Sequence, residues 1–128
     1  MRILLDTHVF LWAIAGETSR ISPKALRAIL NPDNERLVST VSLWEIAVKV
    51  RAGKLRVPCE ISYFETHRER LAASWLSITP THVLRVATLP SHHRDPFDHL
   101  LISQSLCEGI PLVTSDKTIR KYGLRTVW

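Results

Sequence analysis

The chain has 128 residues, 45% of them hydrophobic, enough for one compact domain with a buried core and too few for a second. Its longest apolar run, Val9 to Ala15, is far short of a membrane span, and Met1-Arg2-Ile3-Leu4-Leu5-Asp6 meets an acid too soon for a signal peptide, so the expected setting is soluble and cytoplasmic, with no membrane contact. Net charge is +5 and the pI about 9.7, compatible with a nucleic-acid partner, while Cys59 and Cys107 lack metal-ligand spacing and read as reduced, mostly buried thiols.

Residues 2–5 form a short buried strand in prospect, and His8 to Ala15 a helix entered directly from it. After a connection from Gly16, Ser22-Pro23 supplies an N-cap and a first-turn proline for a helix from Pro23 to Leu30, which Asn31-Pro32-Asp33-Asn34 stops. Leu37 to Thr40 reads as a second strand. Val41 to Arg51 has a helical stripe of Leu43, Ile46, Ala47 and Val50, ended by Gly53. The segment Ile61 to Trp75 predicts one amphipathic helix and Leu76 to Thr79 a third strand. Pro80 to Leu89 is a further helix, and Ser91 to Phe97 has no period and reads as a loop. Asp98 to Glu108 is helical up to Gly109; Pro111 to Thr114 is a strand, Lys117 to Tyr122 a short helix and Arg125 to Val127 a last strand.

Strands alternating with helices, without a hairpin signal, predict an α/β fold with a mostly parallel sheet and helices on both faces. The carboxyl ends of such strands lie along one edge, where sites are placed. Four acids fall at or just inside helix-like segments that follow strand-like ones: Asp6, Glu45, Asp98 and Asp116. They can therefore converge. Converging carboxylates repel one another unless a cation neutralises them, and an all-oxygen set suits a hard divalent ion such as Mg²⁺ or Mn²⁺. This predicts a metal-dependent enzyme acting on phosphate esters. Setting Asp6, Glu45, Asp95, Asp98 and Asp116 aside from the chain's 12 acids leaves seven against 17 basic side chains, an acidic hole in a basic field. Such a field suits a polyanion, although ordinary solubilising charge gives the same totals.

Each acid also has a plainer explanation. Asp6 could cap the helix that follows it. Ser42-x-x-Glu45 has the spacing of a capping box, Asp98 could cap a helix starting at His99, and Asp116 could be a turn residue. Jointly these are less satisfying, because four of the five aspartates sit at Asp6, Asp95, Asp98 and Asp116, and only Asp33 lies in an ordinary turn.

Four motifs in this order, Leu5-Asp6-Thr7-His8, Ser39-Thr40-Val41-Ser42-Leu43-Trp44-Glu45-Ile46, His93-Arg94-Asp95-Pro96-Phe97-Asp98 and Val113-Thr114-Ser115-Asp116, carry a resemblance to the PIN domain, specifically the VapC-type toxins of bacterial and archaeal toxin–antitoxin pairs. The similarity runs from end to end, as one domain over 1–128. It implies a three-layer α/β/α sandwich with a central, mostly parallel sheet and a Mg²⁺- or Mn²⁺-dependent endoribonuclease site. Asp6 and Asp98 would be the principal metal ligands, Asp116 a further ligand, and Glu45 a ligand or a group orienting the attacking water. Thr7 and Thr114 would order that shell. Asp95, matched only by the Asp-Pro-Phe-Asp subset of the family, would either support the ligands or form a turn ahead of Pro96. The resemblance also implies an RNA substrate, a cognate VapB-like antitoxin and a homodimer.

Among the six histidines, His8, His92 and His93 are placed to line the cleft, and His67, His82 and His99 fall in helical segments. Imidazole is a poorer Mg²⁺ ligand than carboxylate, so substrate contact or surface placement is expected of them rather than ligation. Trp12 and Trp44 lie in apolar stripes and are expected in the core. Arg51, Lys54 and Arg56 form a basic cluster that would hold RNA or an acidic partner, or merely be a solvated helix end. A catalytically silent RNA- or protein-binding module is the alternative; the complete carboxylate set argues against it. An aspartyl phosphatase would want Asp-x-Asp after its first strand, a receiver domain paired acids there, and Asp6-Thr7-His8 offers neither.

Overall fold

The computed structural model describes residues 1–128. Its centre is β1 (Arg2–Leu5), where Ile3, Leu4 and Leu5 are all buried, as in a parallel strand covered on both faces. Side chains alternate across a strand, so Ile3 and Leu5 enter one core with Val9, Phe10, Ile29, Val38 and Ile46. Leu4 enters the other core, with Leu37, Leu101, Leu112 and Ile119. Two cores on opposite faces of one sheet make the expected three layers.

The sheet has five strands in the order β3-β2-β1-β4-β5, all pairs parallel: β2 (Glu35–Ser39), β3 (Ala73–Leu76), β4 (Leu112–Val113) and β5 (Thr126–Val127) flank β1. Leu5 is in register with Val38 of β2 and Val113 of β4. The chain grows outward from β1 through β2 and β3, then returns to the other side of β1 to lay down β4. The β1–β4 pair is therefore the topological switch point, and the crevice beyond its carboxyl ends is the predicted place for a site.

Six α-helices connect the strands: α1 (Thr7–Ile14), α2 (Pro23–Leu30), α3 (Thr40–Arg51), α4 (Ile61–Arg70), α5 (Pro80–Arg85) and α6 (Pro96–Glu108). Tighter 3₁₀ turns occupy Thr18–Arg20, Val86–Thr88 and Ile119–Tyr122. Helix α2 starts as expected, with Ser22 accepting from the Ala25 amide at 3.1 Å. No helix is long and apolar enough to cross a membrane.

The segment expected to be one helix from Ile61 to Trp75 is a helix and a strand. Helix α4 ends at Arg70, Ala72 turns the chain with φ +51°, and Ala73 to Leu76 pair with Arg36 to Ser39. The open edge of β2 competes with local helix propensity and wins, and the Arg68 guanidinium ties helix to strand by donating to the Ala73 carbonyl at 2.9 Å. In α3 the buried stripe is Val41, Ser42, Glu45 and Ile46, so Ala47 of the expected stripe is exposed. Trp44, expected in the core, is 51% exposed and meets Phe97 edge-on at 4.6 Å between centroids. Trp12 is partly buried against the first core beside Trp128. Both cysteines are free thiols, but Cys59 is exposed and only Cys107 is partly buried.

Candidate metal centre

Asp6 is the first residue beyond β1 and sits at the switch point. One oxygen accepts from the Thr7 amide at 2.7 Å and the other from the Thr114 hydroxyl at 2.7 Å. Asp6 is thus both a helix cap and a member of the cleft. Burial raises its pKa, opposed by the Thr114 bond, the His8 charge and the Thr7 amide, with the Glu45 charge adding to the rise. The same Thr114 hydroxyl accepts from the Asp116 amide at 3.1 Å, so one side chain past β4 fixes two of the expected acids.

Glu45 lies in the second turn of α3. The capping-box reading fails on geometry: Ser39, not Ser42, caps this helix, accepting from the Val41 amide at 3.0 Å. Ser42 instead accepts from the Thr7 hydroxyl at 2.9 Å, which docks the first turn of α3 against the Asp6 corner. Glu45 is 3% exposed; its Oε2 meets the Lys49 ammonium at 2.5 Å, whereas its Oε1 is buried with no hydrogen-bond partner. Burial works to lower the Lys49 pKa, yet the hydrogen bond and charge of Glu45, followed by the charges of Asp95 and Asp98, hold it above its usual value.

Asp98 is the third residue of α6, not its cap. That place belongs to Asp95, whose Oδ1 accepts from the Phe97 amide at 2.8 Å and the Asp98 amide at 3.4 Å. The turn-forming reading of Asp95 therefore has direct geometry behind it. Asp98 is pushed up to a pKa of about 8, first by burial and then by the charges of Asp6, Asp95, Glu45 and Asp116. All the expected acids therefore bear on one carboxyl group. Asp116 accepts from the Thr118 amide at 2.9 Å through Oδ1, a turn-forming bond, and leaves Oδ2 facing the cleft residue His93.

Three further contacts shape the cleft, and one of them confirms the expected place of His93 in its lining. The Ser39 hydroxyl donates to Gln104 Oε1 at 2.5 Å, locking the start of α3 to α6 and so fixing Glu45 relative to Asp98. Lys49 brings a cation among the acids; a Glu four residues before a Lys on one helix is a readable signal for that pair. His93 brings Nε2 to 2.8 Å from Asp116 Oδ2, and His93, Asp98 and Asp116 each offer a ligand atom within 4.8 Å of the others. His8 and His92 are exposed, as are Arg51, Lys54 and Arg56.

The donor set fits a divalent cation. A buried carboxylate oxygen without a partner, in Glu45, and a carboxyl group driven toward protonation by four neighbouring acids, in Asp98, are both relieved by positive charge placed between them.

Fold and site together define an α/β protein with a carboxylate-lined, cation-seeking crevice at the switch point of a parallel sheet. Comparison with known proteins agrees with that class. The family model for the PIN domain matches residues 3–124. Ribonuclease VapC22 of Mycobacterium tuberculosis (strain ATCC 25618 / H37Rv) is 30% identical over 122 residues, covering 94% of this chain and 91% of that protein. The fold is shared with VapBC2 from Rickettsia felis, solved bound to a DNA fragment from its promoter, at TM-score 0.65 and 15% identity over 98% of this chain and 97% of that one. It is also shared with DNA-bound VapBC from Salmonella typhimurium, at TM-score 0.68 and 15% identity over 98% of this chain and 96% of that one. The chain belongs to the PIN domain family and is of the VapC type.

Proposed function

We propose that this protein is a Mg²⁺- or Mn²⁺-dependent endoribonuclease and the toxin of a toxin–antitoxin pair. The observation that carries the reading is the convergence of Asp6, Glu45, Asp95 and Asp116 on Asp98, with Glu45 Oε1 left free inside the cleft. The ribonuclease name of the 30% identical relative supports the activity. Asp6, Asp98 and Asp116 would hold the cation, with Glu45 Oε1 as a further ligand or as the acceptor that orients the attacking water. A divalent ion in such a site activates water near neutral pH and stabilises charge on the oxygens of an in-line phosphodiester displacement.

The chain's own residues do the rest. Thr114 holds Asp6 and Asp116 in register, and Thr7 through Ser42 keeps Glu45 at the same depth. Asp95 caps α6 and so aims Asp98 into the cleft. Lys49, paired to Glu45, keeps one positive charge among the acids where a phosphate must approach. The bases outside the cleft would hold the RNA backbone around it.

The structural neighbours solved as VapBC assemblies support a VapB-like antitoxin as partner. An apolar groove of about 400 Å³ lined by Leu11, Trp12, Leu55, Val57 and Tyr63 offers a seat for one face of an amphipathic helix. Exposed Trp44 and Val48 on α3, with Val83 and Leu84 on α5, give apolar surface that a second copy would cover in a homodimer. The activity is tested by incubating purified protein with single-stranded RNA. Cleavage is expected with Mg²⁺ or Mn²⁺, with 5′-phosphate and 3′-hydroxyl ends, and should be lost in Asp6→Asn and Asp98→Asn. Cleavage in excess EDTA, or 2′,3′-cyclic phosphate ends, would overturn the metal reading in favour of the histidines.

A further inference from the structure

We infer that His93 is a nitrogen ligand to the cation held by Asp98 and Asp116, which makes the centre a mixed nitrogen–oxygen site that prefers Mn²⁺ to Mg²⁺. This rests on the metal reading above and assigns the site a ligand that the carboxylate set does not contain.

The first support is position. A ring nitrogen of His93 and one carboxylate oxygen each of Asp98 and Asp116 lie within 4.8 Å of one another. Around one six-coordinate ion with bonds of roughly 2.1 Å, neighbouring donors are about 3 Å apart and opposite donors about 4.2 Å. The 2.8 Å between His93 Nε2 and Asp116 Oδ2 matches the separation of neighbouring donors. Yet this pair lacks the alignment of a hydrogen bond, and Nε2 is buried without any hydrogen-bond partner. Two atoms at such a distance, neither bonded to the other, are arranged as fellow ligands are.

The second support is that His93 is held more firmly than a surface histidine needs to be. The Tyr122 hydroxyl accepts from the amides of both His92, at 3.1 Å, and His93, at 2.7 Å. The His93 ring stacks on Tyr122 at 6.5 Å with an interplanar angle of 8°, and the His93 carbonyl lies 2.6 Å from His99 Nε2. Tyr122 belongs to the 3₁₀ turn that follows Asp116, so a single aromatic residue sets the imidazole against that carboxylate. Groups that orient a ligand in this way raise its affinity for metal and keep the ring from swinging out.

The third support is charge and chemistry. Glu45 is 3% exposed and keeps Oε1 buried without a hydrogen-bond partner, so the crevice presents an unsatisfied carboxylate oxygen to a cation. Mg²⁺ takes oxygen ligands and resists dehydration, whereas imidazole is a softer donor that favours transition metals. Adding one nitrogen to the carboxylates therefore shifts the site toward Mn²⁺.

The deciding experiment is pulsed electron paramagnetic resonance on the full chain loaded with Mn²⁺. Electron spin-echo modulation should show a directly coordinated ¹⁴N, replaced by ¹⁵N when histidine alone is isotopically labelled, and lost in His93→Gln. In parallel, calorimetric titration of His93→Gln should lose about 10- to 100-fold in Mn²⁺ affinity and at most about 3-fold in Mg²⁺ affinity. If His93→Gln does not fold, His93→Asn takes its place in both measurements. Mn²⁺ bound without nitrogen coupling, or coupling that persists in His93→Gln, overturns the assignment of His93 and leaves the carboxylate centre standing. Failure of the wild type to bind Mn²⁺ at all overturns both.

Discussion

Asp98 is the residue on which the cleft's electrostatics concentrate. Its pKa of about 8 in the folded, metal-free chain stands against an ordinary value of 3.8, so between those limits the folded state holds a proton that the unfolded chain has released. The stability it contributes is fully present below the ordinary value and is lost as pH rises through the folded one. Thermal melts of the metal-free protein should therefore fall in Tm from pH 5 to pH 8, and Asp98→Asn should flatten that fall. At pH 8 the variant gains about 1–2 kcal/mol, a figure kept small because the carboxyl group is only partly shielded from water. Equal slopes for wild type and variant would refute the coupling. Because proton and cation compete for the same oxygens, Mg²⁺ or Mn²⁺ should raise the wild-type Tm more at pH 8 than at pH 6. Lys49 makes the complementary case. Lys49→Met leaves the buried Glu45 carboxylate unpaired and should cost about 1–2 kcal/mol, while Glu45→Gln combined with Lys49→Met should recover most of it. Additive losses in that cycle would show that the pair is not coupled. Asp6, Glu45 and Asp116 were legible because each follows a strand, whereas Asp98 follows α5 and a loop and was legible through its Asp-Pro-Phe-Asp motif. Lys49 and His93 were less so, since a cation among acids and an imidazole against Asp116 become visible only once α3 and the loop before α6 face the same crevice.

Helix α6 shows how an element aims a site. Asp95 caps it, Pro96 occupies its first position without wasting an amide, and Gly109 closes it in the left-handed conformation at φ +64°. Asp98 in the first turn is carried wherever this start is fixed. Asp95→Ala should cost about 1 kcal/mol of stability through the lost cap, and Asp95→Ser should restore most of it, because a hydroxyl caps nearly as well. If cleavage returns with the cap in Asp95→Ser, Asp95 acts through the helix start; if stability returns without cleavage, its charge is what matters. Elements built from uninterrupted apolar runs or flanked by caps, such as β1 and α2, were readable almost to the residue. The strand β3 was expected three residues late, at Leu76 to Thr79, because Ala73-Ser74-Trp75-Leu76 has no clean alternation; the unpaired edge of β2 fixes where the strand begins. The Ser42-x-x-Glu45 pattern misled for a related reason. Its spacing is that of a box, but the helix had already started at Thr40, so the same two residues face inward toward Thr7 and Lys49.

On the scale of the whole molecule, the charge is divided between an acidic crevice and a basic remainder, seven acids against 16 bases once the five cleft acids and Lys49 are set apart. That division suits an RNA drawn in by its phosphates, and it equally suits a protein inhibitor that carries its own cation into the crevice. For the proposed antitoxin, the seat is the groove lined by Leu11, Trp12 and Tyr63, and the inhibitory contact would be an Arg reaching the carboxylates in place of the metal. The two parts make separable demands. Removing one carboxylate should weaken the inhibitory contact while leaving the apolar seat intact, so Asp98→Asn is expected to bind the partner about 10-fold less tightly than wild type does, without abolishing the complex. The measurement is the affinity of a small protein encoded directly upstream for wild type and variant, with the mass of each species in solution read alongside. Unchanged affinity would place the inhibitory group outside the crevice. A monomer that binds no such partner would leave the nuclease chemistry in place and remove the toxin assignment, because the crevice would then answer to metal and RNA alone.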